Sequence, residues 1–415
     1  MNKMHHYTLT LLCYVQIFAS VFCAIILTFI PSLMTYKEFV IGVGVISLSV
    51  SFFTFLKYFR ARSGIIYTLL IGTFLLLYYY LTGISYTISS AKYDSFFMVL
   101  YGQSIPTMLI ASSVSMNPYA QLLFKRSIPY VAIVFSFVSF ISAFFPTDMT
   151  SGGYASNENG LNYQSTSYMS AYASGLILYY IIFFKHIDWL RPFRNRYIRM
   201  IMSTMLIINF LTILIAGGRG GLVLYVILLF FIFIFHVHRS KFSLSQVFKY
   251  LVLGLFLLIL VYLSICFVRE STVETSGFER ILAFVQEHDQ NGRDELREIA
   301  WASFWGAPLC GHGIGSVFFE IGEYSHNCFT DVLVETGCFG CVVFLTMLLC
   351  VAKKLYRFIK IDVTDMCWAI IFLDGFVLSL FSGYYLANMP LIWIISFIFC
   401  IKKQKLFRQL KMLNN

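Results

Sequence analysis

Residues 198–216, IRMIMSTMLIINFLTILIA, contain a single charged side chain, Arg199, at the start of the run. Wound into a helix at about 1.5 Å per residue, such a stretch matches the ~30 Å hydrocarbon core of a bilayer. Similar runs recur along the whole chain, and 59% of its 415 residues are hydrophobic against 12% charged. That composition lies outside the range of water-soluble domains. The runs are continuous rather than alternating, so they predict helices and not barrel strands. The chain therefore reads as an all-α polytopic membrane protein.

The runs predict about 12 transmembrane helices, at roughly 8–30, 39–56, 65–84, 96–115, 128–146, 167–184, 198–216, 220–237, 250–267, 334–352, 364–383 and 386–401. The first run follows MNKMHHY, is too long for a signal-peptide core and lacks a small-residue cleavage site, so it counts as span one. With both termini cytoplasmic, 23 of the 30 Lys and Arg residues fall on the cytoplasmic side, where positive charge is retained. Lys37, Lys92, Arg219, Arg269, Arg280, Arg293 and Arg297 remain outside. The net charge of +10 is then a topology signal, and it gives no support to nucleic-acid binding.

Most of the ten cysteines lie within spans and act as small apolar residues. Cys310 and Cys328 are the one pair placed to bridge outside. No CxxC or HExxH spacing occurs, and His236 and His238 sit at the cytoplasmic mouth of span eight as interfacial residues. No metal or other cofactor is expected. Residues 1–415 read as a single integral membrane domain with two long extracytoplasmic loops, 147–166 and 268–333. The first is rich in Gly, Ser, Asn and Tyr, which suits either a sugar or a merely flexible polar loop.

The second loop, between spans nine and ten, is partly helical. In RDELREIAWASFWGAPL, Leu296, Ile299, Ala300, Ser303 and Phe304 make one apolar stripe, with Arg293 and Arg297 one turn apart. This spacing predicts an amphipathic helix lying at the outer membrane surface, with Trp301 and Trp305 as interfacial anchors. Between spans seven and eight, IAGGRGGLVL leaves almost no loop and sets Arg219 among Gly217, Gly218, Gly220 and Gly221. Glycines there allow a tight turn or close helix packing, whereas the arginine at a helix N-terminus is placed to receive an anion. The P-loop spacing GxxxxGK[ST] is absent, and GHGIGS at 311–316 lacks the third glycine of a dinucleotide fingerprint.

Taken in order, GGRGG at 217–221, GR at 292–293 followed by Trp301, PLCGHGIGS at 308–316, SHN at 325–327 and ETGCFG at 335–340 resemble the O-antigen polymerase and ligase superfamily. The resemblance covers mainly residues 198–352. It implies a GT-C-like, metal-independent glycosyltransferase in the bacterial inner membrane, acting outside on an undecaprenyl-diphosphate-linked oligosaccharide. Arg219 and Arg293 would clamp the diphosphate and stabilise the charge developing on it, with Arg280, Arg297 and Arg269 as further contacts. His326 would act as general base toward the acceptor hydroxyl, with His312 as a weaker alternative. Asn327 would orient the imidazole or bind a sugar hydroxyl, Glu335 would pair with an arginine, and Gly218, Gly220, Gly313, Gly337 and Gly340 would shape turns and packing.

A polymerase adds the glycan to another lipid-linked repeat unit, whereas a ligase adds it to lipid A core. The Ser/Asn/Tyr-rich first loop and the compact SHNCFTDVLVETG segment favour polymerase, whether of O-antigen, capsule or exopolysaccharide. A chain-length regulator protein is a partner implied by resemblance. A transporter of the same lipid is the reading from another class, but no internal repeat appears and the spans carry almost no acids apart from Asp374.

Overall fold

The computed structural model describes residues 3–17, 46, 49–56, 103–144, 148–149, 155–156, 163–187, 195–239 and 293–401. Expected spans three and nine, Arg269, Arg280 and the part of the second outer loop before residue 293 lie outside the described residues. In chain order the helices are α1 (Lys3–Ile17), α2 (Ile105–Ser115), α3 (Pro118–Phe144), α4 (Tyr163–Phe183), α5 (Arg196–Ala216), α6 (Arg219–Arg239), α7 (Arg293–Gly306), α8 (Val317–Glu320), α9 (Cys328–Ile361), α10 (Met366–Phe381) and α11 (Met389–Cys400). Among the described residues the strands are confined to a two-residue antiparallel pair, β1 (Asp148–Met149) with β2 (Ala155–Ser156). Five described helices are long and apolar enough to cross a membrane: α3, α5, α6, α9, and α10 with the 3-10 turn that precedes it. This is a multi-pass membrane protein.

The chain forms two compact units, residues 1–128 with 290–415, and residues 129–289. In the second unit, α4 packs against both α5 and α6. Burying a methylene gains little where lipid is the alternative, so close approach and interhelical hydrogen bonds carry the association. Both are present. Asn209 donates to Ser136 Oγ at 2.9 Å, Ser142 and Thr166 hydroxyls meet at 3.2 Å, and Gly175 lies beneath Leu228. The α5–α6 turn is set locally: Gly217 takes the left-handed C-cap of α5 (φ 71°), its N–H returning to Ile213 O, and α6 begins two residues later.

The first unit is built around stacked rings. Phe124 lies 5.0 Å from Trp368 and 5.8 Å from Trp393, and Phe397 closes on both tryptophans at 4.6 and 4.8 Å. Gly375 of α10 lets α11 approach so closely that an added Cβ would stand 2.5 Å from Leu391 N. Asn388 ties the same two helices: its amide donates to Gly375 O and Ser379 Oγ, while its oxygen caps α11 at Leu391 N. At the opposite end of α10, Lys125 is buried against Asp365 and Thr364. This end pairing leaves the other end of α9–α11 to receive the glycine-rich loop.

Several boundaries differ from expectation, among them the start of α3 at Pro118 rather than near 128 and the end of α9 at Ile361 rather than near 352. Helix α4 starts at Tyr163, inside the expected first loop. Helix α9 starts at Cys328 rather than near 334, because Asn327 caps it by accepting the N–H groups of Phe329 and Thr330. Its regular winding is broken once, at Gly337 (φ 64°, ψ −166°).

Candidate functional site

Breaking a helix at Gly337 strands backbone groups on both sides, and the loop that follows α7 supplies their partners. His312 N–H donates to Val334 O at 2.9 Å and Gly313 N–H to Glu335 O at 2.8 Å; in return Cys338 N–H donates to Pro308 O at 2.8 Å and Phe339 N–H to Leu309 O at 3.2 Å. Two glycines permit the approach. A Cβ on Gly311 would collide with the backbone of Glu335 and Thr336, and one on Gly337 with that of Leu309 and Cys310; both also have positive φ. The PLCGHG and ETGC motifs are therefore the two halves of one backbone knot.

Glu335 sits at its centre, fully buried. Its carboxylate accepts from Gly315 N–H at 2.9 Å, Tyr384 OH at 2.7 Å and Tyr385 OH at 2.6 Å. The two phenols, in the connection between α10 and α11, are held well above the usual tyrosine range, by burial first and then by the neighbouring Glu335 carboxylate. They are donors, and the expected arginine partner of Glu335 is replaced by three neutral donors. Ile314, Val317, Tyr384 and Leu386 close an apolar cluster over this group, with Phe318 and Tyr324 packed against it.

Beyond the cluster the chain turns to present His326. Asp331 Oδ1 accepts from Ser325 N–H at 2.8 Å, and Ser325 Oγ donates to Asn327 O at 3.2 Å. Between these anchors His326 adopts φ 59°, the one positive φ outside glycine among the described residues. A left-handed conformation costs about 1–2 kcal/mol, and it points the imidazole where a helical or extended residue would not. The ring lies 4.4 Å from that of Tyr324, and Nε2 stands 3.8 Å from Glu323 Oε1. A histidine that gains a proton here has an acid beside it. Asn327, expected to orient this imidazole or bind a sugar hydroxyl, uses its side-chain oxygen for the α9 cap. His312 is held between α7 and α8, Nε2 2.8 Å from Ser303 O and Nδ1 3.9 Å from Glu320 Oε1, which suits a brace better than a base.

Arg219, in the other unit, is the first residue of α6 and half-buried. The turn before it is clamped onto α4: Ser167 Oγ donates to Gly218 O at 2.9 Å, and a Cβ on Gly218 would stand 2.5 Å from Ser167 Cβ. Gly221 faces the same serine, closer still, and Gly220 is buried beside it. Arg293 opens α7, and Arg297 is half-buried one turn later. Cys310 is an exposed thiol and Cys328 a buried one, and the outer bridge open to this pair is not formed. Gly311, Gly315, Asp331, Tyr384 and Tyr385 are additions of the structure. The tyrosine pair carried a legible signal, two hydroxyls in the short GYYLAN connection between apolar runs.

Residues 204–345 match the family model described as O-antigen ligase. This is the resemblance that the motifs carried, and from α5 to the first turns of α9 past its kink it supports a likeness to the O-antigen polymerase and ligase superfamily. The matched stretch is about a third of the chain and contains Arg219, Arg293, the knot, His326 and Glu335. No curated protein matches the chain.

Proposed function

We propose that this chain is a surface-polysaccharide polymerase of the O-antigen type, transferring a glycan from a polyprenyl diphosphate to the non-reducing-end hydroxyl of another lipid-linked repeat unit on the outer face of the bacterial inner membrane. The observation that carries the reading is that one family-matched segment holds the helix-terminal Arg219, the arginine-led helix α7 and the strained, acid-backed His326. In the transfer, the bond from sugar C1 to the diphosphate oxygen breaks and a bond from C1 to the acceptor oxygen forms. The acceptor proton passes to His326, and the polyprenyl diphosphate leaves. Arg219 and Arg293 meet the negative charge that grows on the departing diphosphate, since a planar guanidinium stays charged and binds phosphate oxygens in pairs. Glu323 then faces the protonated imidazole, a modest contribution because the acid is exposed.

The ligase reading is favoured by one specific observation, the description of the matched model itself. Surface glycan from a strain lacking the chromosomal gene, complemented by this chain and resolved on a gel, separates the two. A ladder that collapses to a single capped repeat unit in the absence of the chain supports polymerase. Lipid-linked polymer accumulating without transfer to the core indicates ligase. Unchanged glycan in the absence of the chain overturns both.

A further inference from the structure

The exposed side chains of α7 are sorted along its axis as well as around it. Ala300 and Phe304 are buried against Val334 of α9. Of the side turned away, the first half carries exposed Glu295 and Glu298, and the second half carries Trp301, 46% exposed, and Trp305, 70% exposed. Glu298 and Trp305 are seven residues apart, nearly the same azimuth two turns along, or about 10 Å. The winding continues past Gly306 through the turn closed by Gly311 N–H on Ala307 O, and Leu309, 74% exposed, follows Trp305 by four residues. Leu309 O accepts from Phe339 N–H, and Phe339, 75% exposed, begins the outward stripe of the α9 span that Val342 and Val343 continue. The apolar end of α7 is thus continuous with the lipid-facing side of a membrane-crossing helix.

We propose that α7 enters the bilayer by its C-terminal end, with Trp301, Trp305 and Leu309 in the lipid of the same leaflet boundary as Phe339 and with Glu295 and Glu298 in water, rather than lying flat along the surface. Tryptophan suits that boundary, since its ring is apolar and its N–H is wet. A flat helix would hold Glu298 and Trp305 at one depth and bury an acid with a tryptophan. The tilted seat fixes the height of the knot, and so of the loop bearing His326, against the membrane in which a lipid-linked substrate travels.

Spin labels at Glu298→Cys, Trp305→Cys, Leu309→Cys and Phe339→Cys in the full chain, reconstituted in nanodiscs with the native cysteines replaced, report depth from oxygen against nickel-chelate accessibility. Nickel access high at 298, falling at 305 and lowest at 309 and 339, with oxygen access rising in that order, is the expected result. Equal values at 298 and 305 would restore the flat helix, and low access to both agents at 305 and 309 would mean a protein covers the patch; either overturns the proposal. The chain with its cysteines intact gives a second reading. In the Trp189→Phe variant, dibrominated phosphatidylcholine should quench the tryptophan emission, and adding Trp301→Phe with Trp305→Phe should remove most of that quenching, because the two tryptophans that remain, Trp368 and Trp393, are fully buried; quenching left unchanged by the added pair also overturns it.

Discussion

His326 combines two properties that substitution can separate, a left-handed backbone and an imidazole. Glycine satisfies the first without the second. His326→Gly is expected to be at least as thermostable in detergent as His326→Ala, and both are expected to lose glycan transfer by about 10²–10⁴-fold, the usual contribution of a general base. Transfer retained by His326→Gly would assign the residue to the turn alone. Glu335 tests the opposite case, a buried acid whose work is structural. Glu335→Ala leaves the Tyr384 and Tyr385 hydroxyls and the Gly315 amide without their acceptor. Each buried donor so stranded costs about 1–3 kcal/mol, so the variant should show a large fall in thermal midpoint, while Glu335→Gln, which keeps an acceptor, should fall much less. Equal midpoints for wild type and Glu335→Ala would dissolve the knot as described.

At the level of elements, glycine positions divide sharply. Gly311→Ala and Gly337→Ala each combine positive φ with a collision against backbone, which cannot swing away, and should prevent accumulation of folded chain. Gly383→Ala, whose added Cβ would meet Leu378 no closer than 3.6 Å, should be tolerated. Gly218→Ala should be damaging for a different reason, a clash with the Ser167 side chain. The double variant Gly218→Ala with Ser167→Gly removes that side chain, leaving Tyr163 O at 3.3 Å, and should recover membrane abundance that Gly218→Ala loses. Failure of that rescue would show that the turn, not the α4 contact, demands glycine. Much of this was legible beforehand. Hydropathy located α5, α6 and α10 to within a few residues, since an apolar run that must satisfy its own backbone in lipid becomes a helix. The same signal could not show that PLCGHG pairs with ETGC, because the pairing is made by main-chain groups that every residue carries. Nor could it show that Glu335 faces tyrosines 49 and 50 residues away rather than an arginine. Asn327 shows a related limit: its side-chain oxygen caps α9, and a cap and a sugar ligand draw on the same amide, so only the adjoining helix reveals the cap.

Across the whole molecule, the chemistry asks for little beyond what the matched segment holds. In the proposed transfer, cations meet a diphosphate, a base meets a hydroxyl, and the membrane confines the donor. The claim that this chain breaks a sugar–diphosphate bond, rather than merely carrying the lipid, is tested most directly in vitro. Purified chain in nanodiscs is given a polyprenyl-diphosphate-linked repeat unit, in the presence of a chelator, and products are separated by mass. Wild type is expected to yield free polyprenyl diphosphate together with lipid-linked glycans longer by whole repeat units, and Arg219→Ala, Arg293→Ala and His326→Ala, matched for folded protein, to yield neither. Intact donor recovered from wild type across a full time course, with donor bound or moved between leaflets but not cleaved, would contradict the transferase account and leave a lipid carrier in its place.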